Sequence, residues 1–248
     1  MRDRRADRHY FDELTESNRQ AVVEGRRDAA DEGLRDEDPG LYVDLVQIYR
    51  TAAFTLANAS YSIGDPSDRT AEYVNEVIRA ETIYSRHAHL AGQKITLTSS
   101  PADYVRPLQV LSLAVLLDID SGLDEFIAAV GSPGQDSIYD FLADRDHDPS
   151  KVGDKVAWPK PYASLLEFVH DPGAPESMQR FLHNWYNQNR RGIWWGTHLT
   201  VNEGDRRYSG YWCFEAAAVT KLLGADDATY RDDEYYPTDL RTSGKEDR

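Results

Sequence analysis

Apolar residues recur at steps of three and four along most of this chain, the spacing of amphipathic helices. From Tyr10 to about Gly33 the segment is charged and Ala-containing, with few large apolar residues (Leu14, Val22, Val23), which predicts a mainly solvated helix. Pro39 and Gly40 punctuate the chain. Leu41, Leu45, Ile48, Ala52, Leu56 and Ala59 then form an apolar stripe. Gly64-Asp65-Pro66-Ser67-Asp68 reads as a turn with an N-cap. The next stripe, Tyr73, Val77, Ala80, Tyr84 and Ala88, stops near Gly92. Two stripes of matching length across a tight turn predict an antiparallel helical hairpin.

Ser100-Pro101 places a cap and a first-turn proline before a run from Leu108 to Ile119 that is apolar nearly all round. A helix greasy on every side belongs in the middle of a bundle. Beyond Gly131-Ser132-Pro133-Gly134 the helices shorten, the loops lengthen and aromatics concentrate, all five Trp among them. Helices are predicted over 138–143, 161–170, 175–189 and 207–223, with 144–160 a polar loop. The period-2 candidates, Ile95-Thr96-Leu97-Thr98 and His198-Leu199-Thr200-Val201, are short and lack a hairpin turn. The expected fold class is all-α: a helical bundle with long antiparallel N-terminal helices and a shorter-helix, aromatic-rich C-terminal part. The Gly/Pro break divides residues 1–130 from 131–248, and buried aromatics are expected to weld the two regions together.

Charge narrows the function. The chain holds 43 acidic against 28 basic side chains, a formal net charge of −15 and a pI near 4.8. That argues against nonspecific binding to nucleic acid or an anionic membrane, since both need a basic face. No apolar run reaches the roughly 18–20 residues that cross a bilayer. The start, Met1-Arg2-Asp3-Arg4-Arg5, lacks the apolar core of a secretory signal. With Cys213 the only cysteine, neither an intrachain disulfide nor a Cys-based zinc site is available. A cytoplasmic protein is expected. Asp outnumbers Glu by 28 to 15. Residues 1–130 carry −9 and 131–248 carry −6, so the charge is even at that scale. At finer grain it clusters at 28–38, 118–125, 136–148 and 226–239.

Each candidate for chemistry meets a plainer reading. Asp144, Asp146 and Asp148 open like a calcium loop, but Pro149 stands where a glycine is needed and Lys155 where a bidentate Glu belongs. Asp118, Asp120, Asp124 and Glu125 fail the same spacing test. His87 and His89, two apart, cannot chelate from one helical face, and no HExxH or Glu-x-x-His pattern links the remaining histidines. No cofactor motif is present. Cys213, between Trp212 and Phe214, reads as a small core residue. On the 207–223 helix the stripe Tyr208, Tyr211, Trp212, Val219 carries Glu215 inward. A buried carboxylate needs neutralisation or hydrogen bonds, which Tyr, Trp or Arg can supply. It is either a structural polar anchor or a general base of raised pKa. No acid partner or electrophile is in view, which favours the anchor. Acidic clusters without a catalytic set point to a protein that binds a basic surface. The candidate contacts are Asp144, Asp146, Asp148, Asp226, Asp227, Asp232, Asp233 and Glu234.

One segment carries a resemblance. Tyr208-Ser-Gly-Tyr-Trp-Cys-Phe-Glu-Ala-Ala-Ala-Val-Thr-Lys-Leu-Leu-Gly224, followed by Asp226-Asp227 and Tyr235-Tyr236-Pro237-x-Asp239-Leu240, resembles the C-terminal signature of PoNi-type immunity proteins. Trp185-Tyr186 and Trp195-x-x-His198 fit the same pattern, and the order of helices carrying Tyr49 and Tyr84 resembles the family's N-terminal region. The resemblance spans about residues 8–241. It implies an all-helical protein that neutralises a cognate polymorphic toxin, typically a DNase of the PD-(D/E)xK type delivered into neighbouring bacteria by a secretion system such as type VI. It further implies a non-catalytic protein held in the cytoplasm, with Tyr208, Tyr211, Trp212 and Glu215 a fold signature rather than contacts. Three alternatives stay open: an acidic DNA mimic would bind several unrelated nucleases, a helical scaffold none, and a metal-dependent hydrolase would carry stoichiometric metal.

Overall fold

The computed structural model describes residues 1–242, and every regular element among them is helical. In chain order these are α1 (Arg8–Ala29), α2 (Glu32–Glu37), α3 (Pro39–Ile63), α4 (Ser67–His87), α5 (Pro101–Leu116), α6 (Leu123–Val130), α7 (Ser137–Ala143), α8 (Pro159–His170), α9 (Pro175–Gln188), α10 (Phe214–Leu223) and α11 (Thr238–Thr242). Short 3-10 turns add Ala88–Ala91, Pro149–Lys151 and Thr197–Glu203. Aspartate starts many of them: Asp7, Asp31, Asp38, Asp136 and Asp148 each accept a hydrogen bond from a backbone N–H of the first turn. Part of the excess of Asp over Glu is therefore capping chemistry.

The chain forms two compact units, each assembled from several segments. The first holds residues 1–95, 120–130 and 196–210. Its centre is α3, with α1 and α4 packed against it. Tyr42, Val43 and Val46 at the start of α3 cluster with Tyr84 and Ala88 at the end of α4. Ser60 near the end of α3 lies 3.2 Å, Oγ to Oγ1, from Thr70 near the start of α4. The pair is thus antiparallel, as the stripes imply. The turn between them closes on Gly64, whose φ of +94° lies in the left-handed region that favours glycine.

The first helix is mainly solvated, as expected, with half of its residues exposed, Val23 among them, while Tyr10, Phe11, Leu14 and Val22 form a buried inner face. Gly25 lets α1 approach α3 closely, since a Cβ there would come within 2.5 Å of Tyr49 Cβ. One expectation for this unit needs correction: the early stripe of α3 is displaced. Leu41 and Ile48 are 46% and 56% exposed, whereas Tyr42, Val43, Val46 and Tyr49 face inward. The tyrosines supply apolar bodies while their hydroxyls reach partners: Tyr49 O–H donates to Glu76 Oε2 at 2.7 Å and Tyr42 O–H to the Ala29 carbonyl at 3.1 Å.

The second unit holds residues 96–119, 131–195 and those from 211 on. Helix α5 is buried on nearly every face from Tyr104 to Leu116 and packs against α7 and α10, which fits its all-round apolar run. Ser100 caps it, accepting from Asp103 N–H at 3.1 Å, and Pro101 occupies its first turn. At its other end Lys221 donates through Nζ to the Val115 and Leu116 carbonyls, at 2.9 and 3.2 Å, and to Asp118 at 2.8 Å. Helices α8 and α9 pack on one another, and α8 also meets α7 and α10.

The helix expected over 207–223 begins only at Phe214. Continuing it backwards would need the Cys213 N–H to donate to the Ser209 carbonyl. Instead Cys213 N–H donates to the Tyr235 carbonyl at 2.8 Å, and the Ser209 carbonyl accepts from Ser62 Oγ at 2.7 Å. Gly210, at φ +120°, sits where the helical path is broken. Neither strand candidate forms a strand: Thr96–Ser99 closes as a turn, and His198–Val201 lies in a 3-10 turn.

Candidate functional site

Asp144, Asp146 and Asp148 fall on the turn that leaves α7. Each aspartate is occupied with local backbone or a neighbouring lysine. Asp144 ends α7 and accepts from Asp146 N–H at 3.3 Å, and Asp148 accepts from Ser150 N–H at 2.9 Å and Ser150 Oγ at 2.7 Å. His147 between them takes a left-handed φ of +46°. Lys151 Nζ stands 3.6 Å from both Asp146 and Asp148. The Ser150 hydrogen bonds, with Lys151 beside them, hold the Asp148 carboxyl below its ordinary range. Alternate aspartates here build an Asx-type turn rather than a cage. Among the described residues, no group of three or more His, Cys, Asp or Glu side chains stands close enough to hold a metal ion.

The second acidic cluster is mixed. Asp227 is 1% exposed, and its carboxylate is shared between Arg231 at 2.7 Å and Arg241 at 3.3 Å. A carboxylate so committed is an internal ion pair, which takes Asp227 out of the set of surface acids. Asp226, Asp232 and Glu234 are exposed and Asp233 is half-buried, its pKa pushed up by burial against the pull of the Tyr235 N–H. A small cleft of about 220 Å³ opens beside them, lined by Gln179 and Leu182 of α9 and by Ala228, Thr229, Tyr230, Asp232 and Asp233. It is below the roughly 300–1,000 Å³ of a small-molecule site and admits a single long side chain.

The signature residues are interior, although not through one helical stripe. Tyr208 lies in the first unit, where its hydroxyl donates to Asp3 and its backbone is bracketed by Tyr10 Oη, 2.9 Å from its carbonyl and 3.1 Å from its N–H. Tyr211, Trp212 and Glu215 lie in the second unit and are buried. Glu215 Oε1 accepts from Tyr162 O–H at 3.0 Å, and Oε2 has no hydrogen-bond partner of ordinary geometry among the described residues. Burial raises its pKa to about 7, with its own N–H, Tyr162 and the Cys213 thiol pulling the other way. Tyr162 also meets Tyr104 edge-on at 4.9 Å. Tyr104 O–H donates to Asp136 Oδ2 at 3.0 Å, and the Ile138, Tyr139 and Ala157 N–H groups satisfy the rest of that carboxylate. This is a polar spine through an apolar core. Glu215 is fully buried within it and held by Tyr162. Cys213 is buried too, and desolvation pushes its thiol well above the ordinary range, away from nucleophile chemistry.

Sequence reading missed an aromatic face on the second unit. Trp185 and Tyr186 of α9 meet the segment that follows: Trp185 stacks on Trp194 with centroids 5.2 Å apart, and Tyr186 stacks on Trp195 at 5.5 Å and on Tyr235 at 5.5 Å. Trp185 is buried, but Ile193 and Trp195 are 80% and 38% exposed and Arg190 and Arg191 are open to solvent. The available signal was Ile193-Trp194-Trp195 held between Gly192 and Gly196, three large apolar residues in a segment too irregular to bury them.

Residues 134–240 match the family model of PoNe immunity proteins (PoNi), C-terminal. That match covers 107 of the chain's 248 residues. That stretch contains both acidic clusters, the aromatic face, and Asp136, Tyr162 and Glu215 of the polar spine, whereas Tyr104 of the spine lies before it. The family implies an immunity protein directed at PoNe nuclease toxins, and its members are non-catalytic inhibitors. Among solved structures the chain is similar to protein PA2201 from Pseudomonas aeruginosa, with a TM-score of 0.72 over 98% of this chain and 90% of that one. At 18% identity that likeness establishes the fold alone. A search of curated proteins gave no match. No helix among the described residues is long and apolar enough to cross a membrane.

Proposed function

We propose that this chain is a cytoplasmic immunity protein that binds and silences a cognate PoNe-type nuclease toxin, a DNase of the PD-(D/E)xK type, in cells that make or meet that toxin through type VI secretion. The match of residues 134–240 to the PoNi C-terminal region carries the reading. Charge supports it. A DNase presents a basic channel to phosphates, and a chain of net charge −15 is steered towards such a surface. Inhibition is by association, with no chemical step and no cofactor. The acids placed for steering are Asp226, Asp232, Asp233 and Glu234, with Asp144, Asp146 and Asp148 contributing less because Lys151 stands beside two of them.

Co-expression tests the proposal. Cells expressing the toxin encoded beside this gene should die without the chain and grow with it, and the two proteins should co-purify. Growth arrest that persists at full expression of the chain, with no complex recovered, contradicts it. Protection against several unrelated nucleases would instead favour a general DNA mimic.

A further inference from the structure

Resting on the immunity reading, we infer that the aromatic face of Tyr186, Ile193, Trp194, Trp195 and Tyr235, with Asp232–Glu234 at its edge, is the centre of the surface that grips the nuclease. The occupant is an apolar patch of the toxin that carries lysine or arginine on the side meeting Asp232–Glu234.

Rim charges accelerate encounter, whereas long-lived complexes need buried anchors, most often Trp, Tyr and Arg. The second unit exposes such a set in one place. Ile193 is 80% exposed, and Trp195, although stacked on Tyr186, is still 38% exposed. They lie beside the exposed Arg190 and Arg191. The rings are ordered in advance. Tyr186 stacks on both Trp195 and Tyr235, with interplanar angles of 25° and 14°, so these rings have little rotamer freedom left to lose when a partner covers them.

Charge complementarity selects the occupant. Asp232, Asp233 and Glu234 run directly into Tyr235, and Asp232 and Asp233 line a cleft with Gln179 and Leu182 of the helix that carries Tyr186. The cleft beside them, with Asp232 and Asp233 in its lining, suits a lysine or arginine side chain of the partner. In the Asp144–Asp148 turn Lys151 stands 3.6 Å from both Asp146 and Asp148, which lowers the net charge the turn presents and makes it a peripheral contributor.

Binding of the full chain to a catalytically inactivated cognate nuclease domain, followed as association and dissociation rates, tests this. Ile193→Asp and Trp195→Ala should each raise the dissociation rate at least about tenfold. Asp232→Asn/Asp233→Asn/Glu234→Gln should slow association about threefold or more at low salt and flatten its salt dependence. Asp144→Asn/Asp146→Asn/Asp148→Asn should change both rates less than about twofold. If Trp195→Ala also lowers the melting temperature, Ile193→Asp decides the matter, because that side chain stands almost wholly in solvent. Wild-type-like dissociation of Ile193→Asp overturns the aromatic face while the immunity reading stands. Failure of the unmodified chain to bind the nuclease overturns both.

Discussion

Replacing Glu215 by glutamine should remove a pH dependence that the native fold carries. The carboxyl is fully buried, and its pKa rises from an ordinary 4.5 to about 7. Below pH 4.5 it is protonated in folded and unfolded chains alike. Between 4.5 and about 7 the folded chain keeps a proton that the unfolded chain has lost, so stability falls as pH rises. The slope is about 1.4 kcal/mol per pH unit. Over that interval the loss reaches about 3 kcal/mol, and above pH 7 it is complete. Glutamine keeps an oxygen to accept from Tyr162 and has no charge to desolvate. The assay is thermal or urea unfolding of both proteins from pH 5 to pH 8, read as the difference between them, so that titrations they share cancel. The wild type should lose ground to Glu215→Gln steadily until about pH 7 and then level off. A fixed offset from glutamine packing does not affect the test. A difference that stays level from pH 5 to pH 8 refutes the reasoning.

Other consequences follow from the packing. Asp136→Ala removes the acceptor for three backbone N–H groups and the Tyr104 hydroxyl, and should cost about 3 kcal/mol in urea unfolding, with Asp136→Asn costing less. Asp227→Asn breaks the shared ion pair with Arg231 and Arg241 and should cost about 2–4 kcal/mol, whereas Asp232→Asn should stay within about 0.5 kcal/mol of wild type in the same assay. Gly25→Ala gains helix propensity but drives a methyl into Tyr49, so a net loss of about 1–2 kcal/mol in thermal unfolding is expected.

Elements with one dominant local signal were legible in the sequence. Ser100-Pro101 and the all-round apolar run placed α5, and the Gly64 turn placed the α3–α4 hairpin. Glu215 stood out because a carboxyl in line with Trp212 and Val219, in an Ala-rich segment, has to be buried and partnered. What failed was whatever tertiary hydrogen bonds decide. The start of α10 depends on Ser62 and Tyr235 capturing groups a helix would have used, and Gly210 is the one local sign of that break near Tyr208 in sequence. The face of α3 was misread because Tyr42 and Tyr49 bury apolar rings while satisfying their hydroxyls elsewhere. Asp227 could not be told from Asp226 by sequence, since only the fold brings Arg241 to one of them. The aromatic face needs α9, the following loop and Tyr235 together, so only Ile193-Trp194-Trp195 hinted at it.

Association with a nuclease is the central claim, and titrating the purified chain into the purified cognate toxin while following DNA cleavage tests it most directly. Direct neutralisation predicts that cleavage falls in step with the complex formed, and that both weaken as salt rises from about 0.05 to 0.5 M. Undiminished cleavage at a large excess of the chain, with no complex at low salt, would contradict it.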